Sequence, residues 1–198
     1  MVGEWPERES IFIAFLEEIH QINEMCKKIG WPPFFKKEIA SHEKPREFGF
    51  LIRPTAKEFH GFVLLLDKLT SENINTDFFR RKIALEYETD RGDGRVSVQR
   101  KGTITLLDDW VKAAVKLPDP QPFDEAIAAL KKIRKIRQTP AHKLEDNLFD
   151  LKYFHEQREL IRDAYTAVRT IRQLLANHPR AKGHDIPDWL YEGKIWVF

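Results

Sequence analysis

Arg137 and His142 are the two residues whose types and spacing best suit chemistry, because they flank a predicted elbow between two helices. Pro140 disfavours a helical conformation at Thr139, so the helix that carries Arg137 should end near Gln138. Thr139 then serves as the N-cap and Pro140 as the first residue of the next helix. The side chains of Arg137 and His142 therefore lie on the two sides of one tight turn and can converge.

An arginine beside a histidine supplies the two groups that RNA cleavage without a metal requires. His142, in the first turn of its helix, feels the positive end of the helix dipole, which favours the neutral imidazole. A neutral imidazole can accept the proton of a ribose 2′-hydroxyl, and the Arg137 guanidinium matches the oxygens of a phosphate. The elbow therefore predicts metal-independent RNA cleavage. In the structural alternative, Arg137 caps a helix C-terminus and His142 is a solvated first-turn residue.

The arrangement of Arg137, four further residues that end in Ala141, and then His142 resembles the R-x4–6-H signature of HEPN domains. The resemblance covers roughly residues 120–180. HEPN domains are small helical bundles, and many are metal-independent endoribonucleases of toxin–antitoxin, phage-defence and RNA-processing systems. Others only bind RNA or dimerise. The resemblance implies that Arg137 and His142 form the catalytic pair and that the active species is a homodimer.

A second candidate site lies on the last long helix, where four arginines and a tyrosine recur at helical spacing. These residues, placed within a narrow sector by a rotation of about 100° per residue, are Arg158, Arg162, Tyr165, Arg169 and Arg172. The preceding helix adds Lys131 and Arg134. The pattern predicts a surface opposite the core that contacts RNA phosphates and stacks one base. A face that pairs with an acidic protein partner, or one that is merely solvated, fits the same spacing.

Composition limits the other function classes. The 198 residues carry 33 basic and 31 acidic side chains, so a nucleic-acid role must rest on a local patch. Cys26 is the one cysteine, and the histidines lack metal-ligand spacing, so we expect no metal and no cofactor. The N-terminus is acidic where a signal peptide is basic, and the longest apolar run, 62–66, is too short to span a bilayer. We therefore expect a cytoplasmic protein without membrane contact.

Apolar periodicity predicts a mainly α fold, a helical bundle with a small β-hairpin near 83–100. Helices are expected over 9–29, 55–70, 76–86, 103–117, 123–138 and from 140 or 146 to 177. Thr55 and Glu58 form a capping box, and the aromatic tail should pack back on the core. The PDPQP stretch at 118–122 divides an N-terminal part, 1–118, from a HEPN-like C-terminal part, 119–198, with one shared core.

Three functions fit the sequence. The first is a HEPN-like ribonuclease or RNA-binding domain, and the second is a non-catalytic helical module that binds a partner protein in a defence or regulatory assembly. The third is a small-molecule sensor with its pocket between the two parts of the chain. Geometry separates the first two. Cleavage needs Arg137 and His142 exposed and close together, whereas an interaction module allows them to be buried, apart or engaged in ordinary salt bridges.

Overall fold

The structure, a computed structural model, describes residues 8–90, 96–138 and 148–197. Within these ranges the chain forms six α-helices: α1 (Ile11–Ile29), α2 (Ala56–Leu69), α3 (Thr103–Ala114), α4 (Gln121–Gln138), α5 (Lys152–Ala176) and α6 (Asp188–Tyr191). Short 3₁₀ helices cover Ser41–Glu43, Thr76–Phe79 and Pro179–Ala181. The mainly helical class with one small hairpin is confirmed.

Local capping signals set the ends of α1 and α2. The Ser10 side chain accepts a hydrogen bond from the Ile13 amide, and α1 ends at Gly30, whose φ of 84° favours glycine. At α2 the Thr55 side chain accepts from the Glu58 amide at 3.4 Å. The Glu58 carboxylate accepts a hydrogen bond from the Arg53 amide at 3.0 Å. Glu58 therefore caps the residue two positions before Thr55.

Two pairs of strands accompany the helices. β2 (Glu86–Asp90) and β3 (Val96–Arg100) form the predicted antiparallel hairpin, with Glu88 opposite Val98. Its turn, 91–95, lies outside the described residues. β1 (Glu9–Ser10) pairs in parallel with β4 (Ile195–Trp196), so the aromatic tail returns to the start of α1 as expected.

The core is built around α5, which packs against α1, α2 and α4. Leu160, Ala164, Val168 and Ile171 of α5 are buried there, together with residues from both sides of the predicted boundary at 118–122. Because three helices pack against α5, little of its surface is exposed to solvent. Side chains on faces that a helical projection would assign to solvent therefore meet a neighbouring helix.

Three predicted helices are shorter in the structure. The 76–86 helix is a single 3₁₀ turn over Thr76–Phe79, and the 103–117 helix ends at Ala114. The last long helix begins only at Lys152, because Asp150 accepts a hydrogen bond from the Lys152 amide while its own amide is bound to the Pro54 carbonyl. Leu148 and Phe149 consequently lie before α5.

Candidate functional site

Arg137 lies in the last turn of α4, as the sequence predicts, but its guanidinium is engaged. Nη1 donates to Asp67 Oδ2 at 2.5 Å and also to Glu72 Oε1. The Asp67 carboxylate is buried, and its other oxygen accepts from Arg134 Nε at 2.9 Å. These hydrogen bonds raise the pKa of Arg137, with Asp67 as the largest cause. Two arginines and two carboxylates thus form a neutral cluster that ties α4 to α2.

His142, Thr139 and Pro140 lie outside the described residues, so the elbow is described on its Arg137 side alone. On that side α4 is described as far as Gln138, the last residue before the undescribed range 139–147, so the predicted end of the helix stays a prediction. Ion pairs with Asp67 and Glu72 are the arrangement expected of an arginine with a structural role. They also offset the positive charge that a phosphate would meet.

The four arginines and the tyrosine predicted on one face of α5 do not all lie opposite the core. The prediction is wrong for Arg172 and Tyr165. Arg172 is buried, and its Nε donates to Glu18 Oε2 of α1 while Nη2 lies 3.3 Å from Oε1. Tyr165 is buried beside this pair. The reason is that α1 packs along the face that the sequence pattern assigned to solvent.

The remaining residues of the predicted RNA surface differ in how far they are exposed. Arg162 and Lys131 are exposed, whereas Arg158 and Arg169 are half-buried. Arg158 lies over the Phe154 ring, 4.1 Å from its centroid. Arg134 is bound to Asp67. The structure therefore does not bring the predicted residues together as one continuous cationic surface.

A feature that the sequence analysis missed is a group of exposed apolar side chains at the end of the bundle where α2 and α5 begin. The segments before these two helices are joined by the Asp150 amide, which donates to the Pro54 carbonyl at 2.8 Å. Gln157, fully buried, accepts from the Leu51 amide and donates to the Gly49 carbonyl. The two segments are thus held side by side.

Large apolar side chains project from both segments. The exposed fractions are 76% for Ile52, 70% for Leu148, 65% for Phe149 and 61% for Leu151, and Phe50 is 42% exposed. We call these five residues the bundle-end apolar surface. A folded chain rarely leaves several large apolar side chains together in water unless they contact something else.

Beside this surface lies a groove of about 530 Å³, which we call the bundle-end groove. Its lining includes the apolar residues Phe50, Leu51, Ile52 and Phe62, the cations Arg46, Arg53 and Lys57, and the carboxylates Glu47 and Glu58. The sequence signal for this groove is the presence of phenylalanines and an isoleucine before the N-cap of α2. They occur in a proline-containing segment in which the sequence predicts only a short extended piece, 48–52, so no buried or exposed face could be assigned to them. The structure describes 48–52 and has no strand there.

A histidine–carboxylate pair joins α1 to the segment that follows it. His20 Nδ1 lies 2.7 Å from Glu38 Oε2, and Asn23 donates to the second oxygen of Glu38 at 2.8 Å. The hydrogen bond to Glu38 raises the pKa of His20. Asn23 also exchanges hydrogen bonds with the Phe35 backbone, so the group serves to fix the chain after α1.

Lys82 occupies an aromatic enclosure formed by distant parts of the chain. Its Nζ lies 3.7 Å from the Trp31 ring centroid and 3.5 Å from that of Phe78, buried and without a hydrogen-bond partner among the described residues. Burial lowers the pKa of Lys82 to about 8. Nearby, burial raises the pKa of Cys26 to about 12, so this thiol is protonated and unreactive.

We expect replacement of Lys82 by methionine to flatten the dependence of stability on pH in the alkaline range. The pKa is about 8 in the folded protein and near 10.5 in the unfolded chain, so the unfolded chain binds more protons between these values. The free energy of unfolding of the wild type should rise across that window relative to the variant. Urea titrations at several pH values measure this difference. Parallel curves for the two proteins would contradict the assignment.

Within the described residues, no group of three or more His, Cys, Asp or Glu side chains is placed to hold a metal ion. Over the same part of the chain, none of the helices combines the length and the apolar character that crossing a membrane would need. Comparison with known proteins finds no matching family model, no similar curated protein and no similar solved structure. The HEPN-like resemblance therefore stays a prediction.

Proposed function

We propose that this protein is a non-catalytic helical module that binds a partner protein through the bundle-end apolar surface. The observation that carries the proposal is the exposure of Ile52, Leu148 and Phe149, held together by the Asp150–Pro54 hydrogen bond. A few side chains that become fully buried in the complex carry most of the binding energy of a protein interface, and large exposed apolar side chains can become buried in this way.

The state of the predicted RNA residues supports the same proposal. Arg137 and Arg134 are bound to the buried Asp67, and Arg172 is bound to the buried Glu18. Arginines in such pairs hold helices together, and Arg172, which uses both Nε and Nη2, would have to leave Glu18 to contact a phosphate. These pairs join α4 to α2 and α5 to α1, and the bundle-end apolar surface lies at one end of the packed helices.

The proposal is tested by capture of crosslinked partners from extract of the native host. We expect the double variant Ile52→Glu/Phe149→Glu to lower the yield of captured protein at least about tenfold. Each substitution removes an apolar side chain and places a carboxylate in the interface. Tyr191→Glu is the matched control, since Tyr191 is 75% exposed and lies on α6. Equal yields from the double variant and the wild type would overturn the proposal.

A HEPN-like RNA domain, active as a homodimer, is the second candidate, and one observation favours it. Arg137 is fixed at the end of α4 by Nη1 alone, and its side chain is 28% exposed. Its Nε and Nη2 groups have no partner among the described residues. A guanidinium held in this way is positioned for a phosphate if the segment that carries His142 folds toward it.

Incubation of the pure protein with mixed RNA, with and without EDTA, tests this second candidate. If it holds, cleavage persists in EDTA and leaves a 2′,3′-cyclic phosphate, and His142→Ala lowers the rate by about 10²–10⁴. Arg137→Lys should also be damaging, because an ammonium cannot reproduce the guanidinium fork. If the protein is an interaction module, the RNA stays intact at every concentration of the wild type.

A further inference from the structure

We propose that the bundle-end groove binds an acidic, amphipathic segment of the partner protein. This inference rests on the proposed function and adds the chemistry of the partner. The groove combines an apolar floor with cations around it, so a ligand that fits must carry apolar side chains and carboxylates on one short stretch of chain.

The floor and the walls of the groove are apolar. Phe62 of α2 is buried beneath it, and Phe50 is fixed against the Phe12 ring at a centroid distance of 4.9 Å. Ile52 remains largely in water. Gly61 adds no side chain, and a Cβ built there would meet no atom within 4 Å, so α2 leaves the groove open at this point. These features suit the insertion of one or two apolar side chains.

Three cations that line the groove carry no side-chain partner among the described residues. Arg46, Arg53 and Lys57 are exposed, and none forms an ion pair there. Two carboxylates, Glu47 and Glu58, also line the groove. The hydrogen bond that Glu58 accepts at 3.0 Å comes from the neutral Arg53 amide, so it offsets no charge. The three cations outnumber the two carboxylates, and the net positive charge of the lining favours carboxylates on the partner.

The same charges disfavour a second copy of this chain as the occupant. In a two-fold symmetric interface the same surface lies on both sides, so six cations would face four carboxylates and the net charges of the two grooves would repel each other. RNA is disfavoured for a different reason. Nucleobases stack on aromatic rings, whereas three of the five residues of the bundle-end apolar surface, including the most exposed one, Ile52, are aliphatic.

Two synthetic peptides of equal length test this assignment by fluorescence anisotropy. Both carry leucines on one helical face, with glutamates on the other face in the first peptide and lysines in the second. A scrambled glutamate peptide of identical composition is the control for the apolar face. We expect binding of the first peptide only, with an affinity that falls as salt is raised.

Variants that change the charge of the groove test whether this charge selects the glutamate peptide. Arg53→Glu/Lys57→Glu should weaken binding of the glutamate peptide by about tenfold or more, whereas Glu47→Gln should tighten it. Equal binding of the two peptides, or binding that ignores these changes, overturns the acidic partner. If the protein self-associates and the same variants abolish this, the groove binds a second copy of the chain. If single-stranded RNA competes with the peptide, the groove binds RNA. Either result overturns the inference. If Ile52→Glu/Phe149→Glu removes partner capture while peptide charge has no effect, the inference fails and the proposed function stands.

Discussion

Arg172→Leu should lower the free energy of unfolding by about 3–5 kcal/mol, because it leaves the Glu18 carboxylate buried without its partner. Urea titration at pH 7 measures the loss. The double variant Glu18→Leu/Arg172→Leu should recover most of it, since an apolar pair fills the same space without a charge to desolvate. If Arg172→Leu unfolds within about 1 kcal/mol of the wild type, Arg172 is not held in the core.

The same variant has a predictable dependence on pH. Burial raises the pKa of Glu18, and the Arg172 guanidinium acts in the opposite direction. A raised pKa means that the native protein retains this proton more tightly than the unfolded chain does. Its contribution to stability is therefore full below the ordinary value of 4.5 and is lost as the pH rises through the folded-state value. Because removal of Arg172 raises the pKa further, the defect of Arg172→Leu should be smaller in acid than at pH 7.

Asp67→Ala should lower the free energy of unfolding by about 2–3 kcal/mol, because it removes the charged acceptor of hydrogen bonds from both Arg134 and Arg137. The two arginines are partly exposed and can be hydrated again, so the loss should be smaller than for Arg172→Leu. Glu72→Ala is the matched control. The side chain of Glu72 is 38% exposed, and its loss should cost less than about 1 kcal/mol.

Comparison of the two variants tests whether the cluster is structural. Equal losses from Asp67→Ala and Glu72→Ala would show that burial of Asp67 has no special importance. A stable Asp67→Ala protein that gains RNA cleavage would mean that Asp67 restrains Arg137, and would favour the HEPN-like candidate over the interaction module.

The elements of the fold that could be predicted from the sequence are those with local causes. Ser10 and Gly30 bound α1, Thr55 begins α2, and alternation on either side of a turn predicts the hairpin. Each of these signals acts over a few residues, so no knowledge of the tertiary structure is needed. The apolar stripes of the main helices belong to the same class.

The site could not be predicted in the same way, because its parts depend on tertiary contacts. Helical spacing groups Arg162, Tyr165 and Arg172 on one face, yet it cannot tell that α1 covers part of that face. Phe149 fits the apolar face of a longer α5, but the hydrogen bond between Asp150 and Pro54 places it before the helix and in water. The enclosure of Lys82 likewise joins residues far apart in the chain.

Hydrogen exchange on the protein bound to its captured partner tests the proposed interface most directly. Amides of residues 49–53 and 148–151 should exchange at least about tenfold more slowly in the complex than in the free protein, and those of the hairpin should be unchanged. Protection confined to the surface around Lys131 and Arg162, obtained on addition of RNA and absent at the bundle end, would contradict the account.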